Sequence, residues 1–188
     1  VILVSTSEKL IEAVEEEIES QLQQLPRAEI ASKSIVNSRL ILVNNDQEAL
    51  ELINEYGPEH FIVCTNNNDY YIDNIANAGS VFIGNYTPES AGDYASGTNH
   101  TLPTNGFSKA YSGVNLDYAS GTNHTLPTNG YAKQYSGVNL DSFMKSITFQ
   151  KISEKGIQGI GSAIELMAEA EGLQAHKNAV TLRLKSLK

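Results

Sequence analysis

Residues 93–116 of this chain, DYASGTNHTLPTNGFSKAYSGVNL, are written a second time at once as residues 117–140, DYASGTNHTLPTNGYAKQYSGVNL. Three positions differ: Phe107/Tyr131, Ser108/Ala132 and Ala110/Gln134. No other feature restricts the fold so much. Two nearly identical segments compete for one place, and at most one can occupy it. The repeat lies in a stretch, residues 84–140, with eight glycines, many Ser, Thr and Asn, and no hydrophobic period. A stretch of that length without periodicity is rare in a compact domain unless it serves a function.

The flanks are periodic. Val1–Val4 reads as a buried strand, and Ser5 with Glu8 forms a capping-box pattern. Leu10, Ile11, Val14, Ile18, Leu22 and Leu25 follow at helical spacing, and Pro26 ends the run. A second helix is predicted over Ala28–Val36 and a strand over Leu40–Val43. Asn45 or Asp46 can cap a helix over Gln47–Tyr56 that closes at Gly57-Pro58. Then come a strand at Phe61–Cys64, a helix at Asp69–Ala78 and a strand at Ser80–Ile83. Strands alternating with helices predict a parallel sheet covered by helices. Beyond the repeat, helices are predicted over Ser142–Ser153, Gly156–Glu171 and Leu173–Leu187. The expected fold class is therefore α/β. Residues 1–83 would form a partial Rossmann-like parallel sheet with flanking helices. Residues 84–140 would form a long polar loop region carrying both copies. Residues 141–188 would form a small helical C-terminal subdomain. The chain opens without Met inside an apolar run, so further residues are expected upstream.

Composition removes several classes of function. The formal net charge is −9, and the only basic run is the tail Lys177–Lys188, which reads as a solvated helix face. Nucleic acid or an anionic membrane surface needs clustered cations, so neither is expected as a partner. No apolar run is long enough to span a bilayer, and no signal peptide is read in these residues. The single cysteine, Cys64, allows no internal disulfide and fits a reducing, cytoplasmic setting. Its place in an apolar run suggests a small buried residue.

Spacing alone identifies little chemistry. The four histidines, His60, His100, His124 and His176, form no local zinc signature, and there is no phosphate loop or nucleophile elbow. Three constellations remain, each with a plain alternative. Glu59-His60 sits at a helix–strand junction, yet adjacent residues on extended backbone point to opposite faces, so a capped turn with a surface His fits equally. Glu89 and Asp93 lie on a glycine-bearing loop with His100 further on, and a hydrated loop is the alternative. Glu171 and His176 straddle Gly172 and can be surface groups.

The segments GPEH, NAGSVFIGNYTPESAGDYASGTNHTLPT, YSGVNLDSF and AEAEGLQAHKNAV, in this order, resemble histidinol dehydrogenase. The resemblance covers essentially the whole chain apart from the extra copy, and matches roughly the C-terminal half of such an enzyme. It implies the NAD-linked, zinc-dependent, four-electron oxidation of L-histidinol to L-histidine in histidine biosynthesis. It implies Glu59 and His60 as the catalytic acid–base pair, with His60 also near substrate. Asp93 and His176 match zinc ligands. Glu89, His100 and Glu171 match groups that hold the substrate's polar atoms. It implies a homodimer whose C-terminal helices reach the partner, placing His176 and Glu171 in the neighbour's site.

Two departures qualify this. The family's Gln and His zinc ligands and most of the nicotinamide-binding part have no counterpart here, so the isolated chain is expected to be inactive, with weak binding of zinc and NAD. The other departure is the repeat. Copy one follows PESAG, so Glu89, Asp93 and His100 keep the family spacing. Copy two, with Asp117 and His124, keeps only the exit YSGVNLDSF. The lead-in places copy one in the site. The alternative is a non-catalytic binding or interaction module derived from that enzyme.

Overall fold

The computed structural model describes residues 1–96, 129–130 and 144–187. His100, Asp117 and His124 lie outside the described residues, as does nearly all of the repeat.

Strand β1, Ile2–Ser5, leads into helix α1, Glu8–Leu22. The helix is capped by Ser7, whose hydroxyl accepts from Leu10 N at 3.2 Å. Ser5 Oγ instead accepts from Ser7 N, so the expected Ser5–Glu8 box is replaced by a cap two residues later. Helix α2, Ala28–Val36, and strand β2, Arg39–Leu42, follow. Asn45 caps helix α3, Asp46–Tyr56, and Gly57 ends it in the left-handed conformation, φ 63°. Strand β3, His60–Val63, helix α4, Asn68–Asn74, and strand β4, Ser80–Ile83, complete the first part.

The strands form two parallel groups. β1 pairs with β2, Leu3 opposite Leu40. β4 pairs with β3, Ser80 opposite His60. A fifth strand, β5 at Thr148–Lys151, pairs with β4 on its other edge, Phe149 opposite Val81. This corrects the helix expected over Ser142–Ser153. The segment TFQK carries a β-branched and an aromatic residue, and an open sheet edge gives it a partner that local periodicity cannot reveal.

Alternation along the strands sorts side chains to two faces. Phe61, Val63, Val81 and Ile83 join Val43, Ala49, Leu50, Tyr71 and Ala78 in one buried cluster under α3 and α4. The other face carries His60, Ile62, Phe82 and Gln150. Helix α5, Glu154–Ala170, packs on helix α6, Gln174–Lys185, and on a π-helical turn at Gly92–Ser96. Their contact buries a second cluster, Ala91, Ile157, Ile164 and Val180, with Tyr86, Tyr94 and Leu184 at its margin. No helix among the described residues is long and apolar enough to cross a membrane.

Candidate functional site

The loop leaving β4 is held before any site residue appears. Thr87 is fully buried; its hydroxyl donates to Ile83 O at 2.7 Å and accepts from Ile152 N at 2.9 Å. That fastens the loop between the ends of β4 and β5. Pro88 follows, and Glu89 stands at the start of a short helical segment that runs into the π turn with Asp93. Glu89 and Asp93 thus lie one turn apart and face the same way.

Helix α6 brings the third member. His176 Nε2 lies 3.4 Å from Glu89 Oε2 and 4.0 Å from Asp93 Oδ2. One donor atom from each of the three residues fits within 4.8 Å of the others. Ser90 Oγ donates to the His176 carbonyl at 3.4 Å, so the imidazole is held through its backbone too. Glu171 joins at the rim, where its carboxylate accepts from Tyr94 OH at 2.7 Å.

The electrostatics follow from this crowding. The hydrogen bond from His176 holds the Glu89 carboxyl below the usual range, against the opposing effect of its burial, with His60 and Asp93 adding to it. The same bond to Glu89 raises His176, aided by the charges of Asp93 and Glu171 and opposed by burial. Desolvation, then the Glu171 carboxylate, push Tyr94 up to about 12.

His60, the first residue of β3, stands with its ring edge-on to Phe82 at 6.0 Å. Its Nε2 is buried and has no hydrogen-bond partner among the described residues. Glu59 contributes its carbonyl to Ser80 N at 2.9 Å. No contact joins its carboxylate to His60, Glu89 or His176 among the described residues. The structure therefore gathers Glu89, Asp93 and His176, ties Glu171 to them through Tyr94, places His60 beside Glu89, and leaves Glu59 apart.

Several residues at the site carry no sequence signal of their own. Ile62, Pro88, Ala175, Ala179 and Arg183 line a groove of about 230 Å³ with Glu89 and His176. Arg183 donates from Nε to Asn85 O at 2.7 Å and from Nη1 to Ala179 O at 2.6 Å, clamping α6 to the loop after β4. Burial lowers its guanidinium from the ordinary value. Cys64, expected to be buried, is exposed, and its thiol donates to Asn85 Oδ1. Gln150 on β5 accepts from Ser96 Oγ at 2.7 Å and donates to Ser80 Oγ at 3.3 Å, linking the π turn to the sheet. Such pairings join residues far apart in sequence. Gly79 could have been suspected from NAGSVF: a Cβ there would stand 2.6 Å from the Glu59 carbonyl oxygen.

The donor set of two carboxylates and one imidazole suits a borderline divalent ion such as zinc. The sequence model of histidinol dehydrogenase matches residues 1–117 and 115–184. The two matches meet where the second copy begins, at Asp117. Histidinol dehydrogenase of Bacteroides thetaiotaomicron is 55% identical over 186 residues, covering 99% of this chain and 38% of that protein. The histidine biosynthesis trifunctional protein of Saccharomyces cerevisiae is 43% identical over 184 residues, covering 98% of this chain and 20% of that one. The crystal structure of histidinol dehydrogenase from Elizabethkingia anophelis aligns with TM-score 0.55 at 50% identity, over 100% of this chain and 38% of its own. The chain thus spans well under half the length of the relatives it matches. With two matched segments that together span nearly all of its residues, the chain belongs to the histidinol dehydrogenase family.

Proposed function

We propose that this chain carries the metal-ligating, proton-transferring and substrate-holding part of a centre that converts L-histidinol to L-histidine with zinc and NAD. The observation that carries the reading is the convergence of Glu89, Asp93 and His176 beside a buried, unpartnered His60 nitrogen. When bound, zinc would orient the substrate's amino and imidazole nitrogens, and NAD would take up a hydride in each of the two oxidation steps.

The chain's own residues supply the rest. Asp93 and His176 offer ligand atoms from two different elements, fixed by the π turn and by α6. His60 Nε2, shielded from water and free of a competing partner among the described residues, suits a group that takes the carbinol proton. Glu59 would activate the water that adds at the aldehyde stage, and this requires its carboxylate to turn toward His60 as substrate binds. Glu171, oriented by Tyr94, offers a carboxylate to the substrate's N–H groups. Glu89 lies within reach of either the metal or the substrate. No residue of this chain is assigned to NAD.

The test is calorimetric. L-Histidinol titrated into the zinc-saturated chain should bind in the micromolar range, and His60→Gln and Glu171→Gln should each weaken it. Absence of binding to the zinc-saturated chain, or equal binding by both variants, would contradict the reading.

A further inference from the structure

We propose that the groove lined by Arg183 takes an α-amino acid with its carboxylate on that guanidinium, so that L-histidine is recognised by a charge L-histidinol lacks. Which amino acid it is rests on the functional reading above; the subsite does not.

Arg183 lines the same groove of about 230 Å³ as Glu89, between apolar walls that include Ile62 and Pro88. Its Nε donates to Asn85 O and its Nη1 to Ala179 O. The second bond bends the side chain back along α6, toward the helix N-terminus and His176. Ala179 follows His176 by three residues, about 4.5 Å along the helix axis. The guanidinium is thus within a small molecule's length of the residues around His176. Its Nη2 makes no hydrogen bond among the described residues and is open to solvent. A guanidinium fixed along one side in this way presents its free end to the groove, and that fork matches the two oxygens of a carboxylate.

Charge selects the ligand. Burial lowers Arg183 from its ordinary value, and no carboxylate forms an ion pair with it among the described residues. The neighbouring Cys64 thiol donates to Asn85 Oδ1 and supplies no fixed negative charge. A half-buried cation without a counter-ion carries a desolvation cost that an incoming anion offsets. Glu89 also lines the groove, beyond ion-pair distance of Arg183. A carboxylate and a guanidinium set apart in one groove match the ammonium and the carboxylate of a zwitterion. A phosphate carries more negative charge and no cation, so Glu89 and Asp93 oppose it. Oxidation of a carbinol to a carboxylate creates the anion only at the last step. Arg183 therefore holds the product and is indifferent to the alcohol.

The experiment follows the Arg183 Nε–H signal by nitrogen-15 NMR in the full 188-residue chain saturated with zinc; only Arg27 and Arg39 share its spectral region. L-Histidine should shift this signal and L-histidinol should not. By calorimetry, Arg183→Lys should weaken L-histidine about tenfold or more, the worth of charge-assisted hydrogen bonds, and leave L-histidinol within about twofold. Circular dichroism and the visible spectrum of added cobalt(II) check that the variant keeps its fold and its site around Asp93 and His176. Should it fail to fold, the NMR titration of the unaltered chain decides. Equal shifts with both ligands, or a shift with neither, overturn the proposal. A shift with inorganic phosphate but none with L-histidine overturns the choice of an amino acid. The functional reading fails separately. If L-histidinol binds as proposed and L-histidine gains nothing from Arg183, the subsite falls and that reading stands. If L-histidinol does not bind while L-histidine still shifts Arg183, the reading falls and the subsite stands.

Discussion

The two buried clusters of this chain are assembled from different kinds of sequence. The first, around Val63, Val81 and Ile83, draws on β2 to β4 and the helices between them, and successive elements pack on one another. The second, around Ala91, Ile157, Ile164 and Val180, joins a turn to helices that come more than 60 residues later. Its polar contacts span 77, 86 and 98 residues. The trio Glu89, Asp93 and His176 stands on the elements that form the second cluster. The site thus depends on a long-range docking event, and it should open before the sheet does, because elements closed over long loops unfold as separate units.

That contrast can be broken in graded ways. The largest effect is expected from Ile157→Ala, at a position with no exposure: about 2–5 kcal/mol of lost stability and loss of cobalt binding with it. Val63→Ala in the first cluster should cost ~2 kcal/mol by denaturant unfolding yet leave cobalt affinity nearly unchanged once the chain is folded. Equal effects of the two on cobalt would erase the distinction.

Next comes Gly79→Ala. Its methyl would press on the Glu59 backbone, which cannot rotate away as a side chain could, and about 1–3 kcal/mol of destabilisation is expected in thermal unfolding. The shift would be passed to His60, so histidinol binding should weaken more than metal binding does.

A smaller effect is expected with pH in the chelator-treated chain. His176 is raised in the folded state, so its contribution is full below its unfolded value, about 6.5, and fades as pH climbs through the folded value. Glu89 is lowered, so its contribution is full above about 4.3 and fades as pH falls through its folded value. The helix docking should therefore be firmest between those two values. Side-chain exposures of 35% and 25% leave the pair open to solvent screening, so the dependence is shallow. His60, Asp93 and Glu171 face the same pair and add to the curve. Hydrogen exchange of α6 amides across pH measures it, and His176→Ala should flatten it.

The smallest is Tyr94→Phe. Removing one hydroxyl–carboxylate bond at an exposed rim should cost about 0.5–1 kcal/mol, with metal affinity retained and histidinol affinity reduced through a looser Glu171.

The same contrast explains what could be read from the sequence. The α2 helix, the Asn45 cap, the Gly57 stop and strand β4 were legible because each depends on local spacing and on one or two capping residues. Asp93 and His176 could be named only through resemblance, since no local spacing links residues on a turn and a distant helix. Strand β5 was read as part of a helix because Thr148–Lys151 gains its partner from β4, and its buried Gln150 is satisfied by Ser80 and Ser96. Arg183 looked like one more cation on a basic tail; its clamp on Asn85 exists only after α6 has docked. The repeat was the most visible feature of all, yet the described site uses only the entry of the first copy, Asp93 to Ser96.

The most direct measurement is anomalous diffraction at the zinc edge from crystals grown with zinc and L-histidinol. The account predicts one anomalous peak per site, with Asp93 and His176 in its coordination sphere and histidinol beside it. A peak that leaves Asp93 or His176 outside the coordination sphere would contradict it.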